Sequence, residues 1–206
     1  MIRSDSETTR VEAARIISTG GLIAFRTDTF YGLGADPFNP TALQKIKKLK
    51  GREENKPILL LISNLDQLDR LVAVQSSLFR SLAIRHWPAP LTLIGAARPE
   101  LPPELTGGTN SIGVRLPDDE NVRRLVGVCG GALTATSANI SAQAPARTAS
   151  EVENYFPEEI DLIIDGGEVG ITKPSTVLDL SGSEPHLIRE GAVSREELAE
   201  ILKTAG

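Results

Sequence analysis

The chain has 206 residues, a formal charge of −5, 40 % hydrophobic residues and 24 % charged residues, a balance suited to a folded domain with its own core. Its one cysteine, Cys129, excludes an internal disulfide and a cysteine-built zinc cluster, and two histidines, His86 and His186, leave little material for a histidine metal site or a Ser-His-Asp triad. No apolar run approaches the roughly 20 residues of a bilayer span, and the polar start MIRSDSETTR holds no hydrophobic signal region, so a cytoplasmic location is expected.

Thr9-x-x-Glu12 predicts a capping box, and Val11, Ala14, Ile16 and Ile17 continue a helix that Gly20-Gly21 stops. Leu22 to Phe25 predicts a buried strand. Arg26 to Gly34, RTDTFYGLG, reads as a hydroxyl-dense loop with two glycines. It is either a ligand loop, since glycine allows close backbone approach, or a hairpin turn braced by Asp and Thr side chains. Asp28 is open between bracing that loop and facing a ligand. Thr41 to Lys50 predicts a helix, Ile58 to Ile62 a strand, and Leu65 to Val72 and Ser76 to His86 two further helices. Trp87-Pro88-Ala89-Pro90 ends the second of these, with Trp87 packing at the core edge. Strands follow at Leu91 to Ala96 and Ile112 to Leu116, joined by the proline-rich connection Arg98 to Glu104. Asn121 to Val128 predicts a helix, and Cys129, in the small apolar context VGVCGGAL, a packing residue. Gly131 to Thr136 predicts a strand ending in Ser137-Ala138-Asn139, followed by a loop and a helix capped by Ser150-x-x-Glu153. Strands are expected at Leu162 to Ile164, Ser175 to Leu180 and Leu187 to Arg189, and a last helix is capped by Ser194-x-x-Glu197. This intermixing gives an α/β class with one mixed, twisted sheet in a single domain.

The stretch with the densest charge is LKGREENKP, Leu49 to Pro57. From Lys45 to Lys56, twelve residues carry six cations against Glu53 and Glu54. Such a run can be a solvated helix face. Its position between a helix and a buried strand also fits an anion-binding loop. Four separated polar groups recur at strand ends: Thr29; Lys50 with Arg52 and Lys56; Ser137 with Asn139; and Ser175 with Thr176. Arg115, Arg147 and Arg189 add cations, although each group alone is also an ordinary turn, cap or edge residue. Gathered around one concavity, they would suit a ligand with several negative charges beside a small polar one. With no general-base histidine or carboxylate dyad, chemistry there would rest on positioning and charge stabilisation.

The stretches TDTFYGLGAD, LKGREENKP, HWPAPLTLI, SIGVRLPD, TSANIS, PSTVLDL and IREG together resemble the YrdC/Sua5 family of threonylcarbamoyl-AMP synthases in its short TsaC form, over about residues 9–191. The resemblance implies a single YrdC-like domain over 1–206: a YrdC/RibB-like twisted mixed sheet with flanking helices and a concave basic face. It implies that L-threonine, bicarbonate or CO2, and ATP give threonylcarbamoyl-AMP and pyrophosphate. Transfer proteins of the TsaD/TsaB/TsaE type would then carry the product to adenosine 37 of tRNAs reading ANN codons. Carried over by position, Lys50 and Arg52 supply catalytic charge. Thr29, Arg115, Ser137 and Ser175 hold L-threonine. Arg52, Lys56, Ser111, Asn139, Arg147 and Arg189 hold ATP. Mg2+ is expected with the ATP, held by phosphates and water rather than a protein cage. Leu61 stands where longer members carry a histidine and has no assigned role. With the chain ending at Gly206, the extra domain of longer members is expected to be absent. A paralogous branch of uncertain activity is also similar but lacks the Ser-x-Asn that Ser137 and Asn139 supply. A second reading is a noncatalytic module binding tRNA or double-stranded RNA through the basic face, as in ribosome maturation.

Overall fold

A computed structural model of the chain describes residues 1–51, 55–170 and 173–205. In chain order, the first half runs β1 (Ile2–Ser4), α1 (Glu7–Ser18), β2 (Ile23–Arg26), β3 (Tyr31–Gly34), α2 (Pro40–Lys50) and β4 (Leu60–Ile62). A 3-10 turn, Leu65–Gln67, then leads to α3 (Leu68–Leu71), β5 (Val72–Val74), α4 (Ser77–His86), β6 (Leu91–Ala97) and α5 (Pro103–Thr106). The second half runs β7 (Ser111–Arg115), α6 (Glu120–Val128), β8 (Ala132–Thr134), β9 (Thr136–Ser137), α7 (Ala149–Tyr155), β10 (Leu162–Asp165), β11 (Thr176–Asp179), β12 (His186–Arg189) and α8 (Arg195–Ala205). Among the described residues, no helix is long and apolar enough to cross a membrane.

The expected mixed α/β architecture is present, with its strands divided between two sheets. One has the order β1-β10-β2-β3-β9, and the other β12-β11-β6-β7-β4-β8, with β5 added against β6. In the first sheet two parallel pairs (β1 with β10, β10 with β2) are followed by two antiparallel ones, and in the second the parallel pairs (β11 with β6, β4 with β7) alternate with antiparallel ones. The central strands are apolar on both faces, because helices or the other sheet cover each side. Ile23, Ala24 and Phe25 in β2 and Leu60, Leu61 and Ile62 in β4 are all buried. The helices supply amphipathic stripes. In α6, Val122, Leu125 and Val126 turn inward.

In α2 the inward stripe is Leu43, Ile46, Lys47 and Lys50, so two lysines lie on the core-facing side. Gly51 ends that helix in the left-handed conformation, with φ 57°, where glycine carries no Cβ penalty.

Several local expectations are corrected. The N-cap of α1 is Ser6, whose hydroxyl accepts from the Thr9 amide, so helix begins a turn before Thr9. Thr148, not Ser150, caps α7. The N-terminal strand β1 has no sequence signal, because three residues with mostly exposed side chains carry no periodicity; parallel pairing with β10 holds it. Leu65 to Val72 gives a 3-10 turn, one helical turn and then strand. The Arg98–Glu104 connection ends in the first residues of α5. Half of the hydroxyl-rich loop is strand β3, and Thr27 to Phe30 form the hairpin turn. The single strand expected at Gly131 to Thr136 is two. Ala135 separates β8 from β9, and the chain passes from one sheet to the other there. Sequence alternation cannot show this, because β8 is buried throughout and β9 is only two residues long.

Candidate active site

The crossing at Ala135 leaves a cleft of about 420 Å³ at the seam of the two sheets. The hairpin turn contributes Thr27, Thr29, Phe30, Tyr31 and Gly32. The middle is formed by Leu59 to Leu61 with Ala135, Thr136 and Ser137. The far wall is Thr92, Arg115, Pro174, Ser175 and Arg189. Of the sequence-predicted residues, Thr29, Arg115, Ser137, Ser175 and Arg189 are therefore brought together from five separate strand ends and turns.

The turn is self-braced. Thr27 Oγ1 donates to the Phe30 carbonyl at 2.6 Å and accepts from the Thr29 and Phe30 amides. Its one hydrogen and both lone pairs are thereby used within the turn, and the Thr29 hydroxyl lies 3.1 Å from Thr27 Oγ1. Thr29 Oγ1 then keeps its lone pairs for an incoming N–H or O–H.

At the end of β7, Arg115 is buried and donates from Nη1 to both carboxylate oxygens of Asp28, at 2.5 and 2.6 Å. Asp28 also accepts from the Asp118 amide at 3.2 Å.

Across the cleft, Arg189 donates from Nε and Nη2 to the Ser175 carbonyl, at 3.2 and 2.9 Å, and from Nη2 to Ser175 Oγ at 3.3 Å. Ser175 Oγ and Thr92 Oγ1 lie 2.9 Å apart. A register shift between Val177 and Leu178 in the β11–β12 pair re-aims the end of β12. Gly191 lets that end approach, since a Cβ there would lie 2.2 Å from the Pro174 carbonyl oxygen. Arg189 pairs with no carboxylate among the described residues, and its neighbour Glu190 faces Arg195. Burial and the charge of Arg115 both lower the Arg189 pKa. The cleft therefore has one guanidinium neutralised by Asp28 and a second with its positive charge unmatched, an environment that favours an anion.

Lys50 sits elsewhere. Its buried ammonium donates to the Ser137 carbonyl, to the Asn139 carbonyl at 2.8 Å and to Asn139 Oδ1 at 3.2 Å. Asn139 Nδ2 donates to the Ile140 and Gln143 carbonyls, at 2.9 and 2.7 Å. Both side chains thus shape the Ser137–Gln143 loop, and neither lines the cleft. Arg147 lies in a neighbouring groove that shares Pro145 with it. There Arg147 donates to the Val169 carbonyl and pairs with Glu168 at 3.1 Å. Ser111 is at the opposite end of β7 from Arg115, against Thr109. Lys56 is exposed, just before Ile58, whose amide binds the Leu105 carbonyl. Arg52 lies outside the described residues. Among the described residues, no three His, Cys, Asp or Glu side chains gather in a metal-holding group.

Three residues with a place at the site were not singled out in the sequence. Thr92 is the lone hydroxyl in the apolar strand LTLI, which is a usable signal. Tyr31 is buried, its phenol bonded to Asp165 Oδ1 at 3.2 Å and the Gly167 carbonyl at 2.9 Å, and its pKa is pushed up to about 12, first by burial and then by Asp165. Gly191 is a matter of tertiary approach that sequence does not encode locally.

The Sua5, YciO and YrdC family model, described as telomere recombination, matches residues 15–191. Curated relatives include the threonylcarbamoyl-AMP synthases of Pyrococcus abyssi, 37 % identical over 92 % of this chain, and Bacillus subtilis, 33 % identical over 93 %. The chain spans only 56 % of each of those two proteins. The synthase of Idiomarina loihiensis is 38 % identical over 82 % of this chain and 91 % of its own length. Among solved structures, P. abyssi Sua5 complexed with L-threonine superposes with a TM-score of 0.92 at 35 % identity, covering 98 % of this chain and 59 % of that one. E. coli YciO gives 0.81 at 26 % identity, covering 93 % and 94 %. On the match over residues 15–191 and the likeness to these relatives across most of its length, the chain belongs to the Sua5/YciO/YrdC family.

Proposed function

We propose that this chain makes L-threonylcarbamoyl-AMP from L-threonine, bicarbonate or CO2, and ATP, releasing pyrophosphate. The observation that carries the reading is the seam cleft itself. Arg115 and Arg189 face it with the hydroxyls of Thr29, Ser137 and Ser175, in a chain alike over 98 % of its length to a Sua5 bound to L-threonine.

Arg115 would take the threonine carboxylate, and Ser175, fixed by Thr92 and Arg189, would add a hydroxyl to it. Thr29, with its lone pairs available, would accept from the threonine amine or hydroxyl. The amine's lone pair attacks the carbon of CO2, one C=O π bond opens onto its oxygen, and the nitrogen's proton passes to water, giving an N-carboxylate. One oxygen of that group then attacks the α-phosphorus of ATP, and pyrophosphate leaves with the electrons of the broken P–O bond. Charge grows on the phosphoryl oxygens in this step, where the unmatched guanidinium of Arg189 and the cations of the Lys50–Lys56 stretch, Arg52 among them, would offset it. Lys50 acts through the loop it holds, setting Ser137 at the cleft and Asn139 behind it. The nucleotide would run past Pro145 toward Arg147, with Lys56 and Ser111 as outer contacts. Mg2+ would arrive with the ATP. Among the described residues, the one carboxylate on the cleft's guanidiniums, Asp28, is already bound by Arg115, so phosphate and water oxygens would hold the ion, and its charge would be spread over the triphosphate.

The product is a mixed anhydride that water destroys, which calls for nearby transfer proteins of the TsaD/TsaB/TsaE type and tRNA as final acceptor, in the cytoplasm. The test is incubation of the protein with labelled ATP, bicarbonate, L-threonine and pyrophosphatase. A threonine-dependent AMP-linked product supports the proposal. Its absence, with salt-sensitive RNA binding in its place, favours a noncatalytic RNA-binding role.

A further inference from the structure

Asp28 has no part in the chemistry above, yet its carboxylate holds Arg115, one of the two guanidiniums that line the cleft. Its carboxylate is 8 % exposed and grips a guanidinium that is 6 % exposed. The mode of the grip matters. Both carboxylate oxygens bind Nη1 alone. The Nε–Nη2 edge of Arg115, the side-on fork that matches a carboxylate, makes no hydrogen bond among the described residues. An arginine held by one terminal nitrogen keeps a whole edge for a ligand while its rotamers are frozen.

Asp28 also ties two elements together. It sits in the turn one residue before Thr29, and it receives the Asp118 amide just past the end of β7. Arg26, at the other side of the same turn, pairs with Asp119 at 2.8 Å. The turn carrying Thr29 is therefore clamped to the strand end carrying Arg115. The gap between the hydroxyl and the fork is set before any ligand arrives.

We infer that Asp28 is a positioning residue for amino-acid recognition: it presents the free Nε–Nη2 edge of Arg115, at a fixed spacing from Thr29, to the α-carboxylate of the substrate. The inference rests on the reading that L-threonine occupies this cleft. It predicts that Asp28 governs affinity for the carboxylate of the substrate and leaves affinity for the rest of the molecule nearly unchanged.

Calorimetric titration of the full chain with L-threonine and with L-threoninamide, which lacks the carboxylate charge, separates these effects. Wild type is expected to prefer threonine by about tenfold or more, a bidentate charged pair being worth on the order of one such factor. Asp28→Asn keeps the shape and can still accept from Asp118, but loses the charge that holds Arg115. It is expected to bind threonine about tenfold more weakly and threoninamide within about twofold of wild type. In turnover, KM for threonine should rise by a similar factor with KM for ATP unchanged. Equal weakening of both ligands would make Asp28 a fold brace only and overturn the inference, as would unchanged threonine binding. If circular dichroism shows Asp28→Asn unfolded, Asp28→Glu, with the charge moved by one methylene, carries the test. A fall in the threonine-to-threoninamide ratio of about threefold or more supports the inference, and an unchanged ratio overturns it. Wild type that binds no threonine defeats the reading of the site, and the inference with it.

Discussion

Lys50 and Asn139 hold each other across the gap between helix α2 and the loop after β9. The buried ammonium donates to both the carbonyl and the side-chain oxygen of Asn139, and the asparagine amide hands on two more hydrogen bonds within its own loop. The helical stripe of Leu43, Ile46 and Lys50 carries the lysine stem inward, where the ammonium donates to the Ser137 and Asn139 carbonyls and to Asn139 Oδ1. Replacing Lys50 by Met keeps the stem and strands the oxygens. Lys50→Met is expected to cost about 3 kcal/mol, read as a shift in urea midpoint at constant slope. Activity should fall in the same variant, because Ser137 and its loop lose their anchor.

Thr92 tests whether Ser175 needs its partner. Thr92→Val keeps the β-branched shape in a fully buried strand position and removes the hydroxyl 2.9 Å from Ser175 Oγ. The expected stability loss is about 1 kcal/mol, and KM for threonine should rise by about fivefold while KM for ATP stays within about twofold. Steady-state kinetics with each substrate varied in turn gives both numbers.

Gly191 tests the approach of β12 to the cleft. Gly191→Ala would place a methyl group 2.2 Å from the Pro174 carbonyl oxygen and 2.6 Å from the Ser175 carbonyl carbon, both rigid backbone. The end of β12 must move, and Arg189 and Ser175 move with it. A loss of about 2 kcal/mol or more is expected, with near-complete loss of activity. Gly182→Ala, where nothing lies within 4 Å of the added carbon, is the control and should change neither.

Tyr31 makes a prediction at high pH. Its phenol pKa is raised from 10.0 to about 12, so the native state keeps the proton more tightly than the unfolded chain. That contribution to stability is whole below pH 10 and is lost as pH rises through 12. The Cys129 thiol, pushed from 9.0 to about 12 by burial, adds a loss of the same sign beginning near pH 9. Urea unfolding between pH 9 and 12 should show a steep decline in wild type and a shallower one in Tyr31→Phe, with Cys129 accounting for the remainder.

The sequence carried the class of the fold and most of its elements, because apolar runs such as LLLI and IAF and caps such as Ser194 are local signals. It did not carry the division into two sheets. Around Ala135 the first strand is buried throughout and the second is two residues long, so no alternation marks the point where the chain changes sheets. The site residues that sequence placed at strand ends and turns, Thr29, Arg115, Ser137, Ser175 and Arg189, do converge on one cleft. Lys50 and Asn139 carry the same residue types but spend their groups on each other, and only the helical phase of α2 shows why. The residues around Asp28 leave bracing and binding both open. The bond of Asp28 to Arg115 spans 87 positions and is invisible to any local pattern.

The central claim is that the seam cleft binds L-threonine against Arg115 and Ser175, next to the nucleotide. A crystal structure of the chain with L-threonine and a nonhydrolysable ATP analogue tests it most directly. The account predicts the threonine carboxylate on the Nε–Nη2 edge of Arg115, within hydrogen-bonding distance of Ser175 Oγ, and the phosphates on the Arg189 side. Threonine bound outside the cleft, or a cleft empty at saturating threonine with Arg115 and Asp28 unchanged, would contradict it.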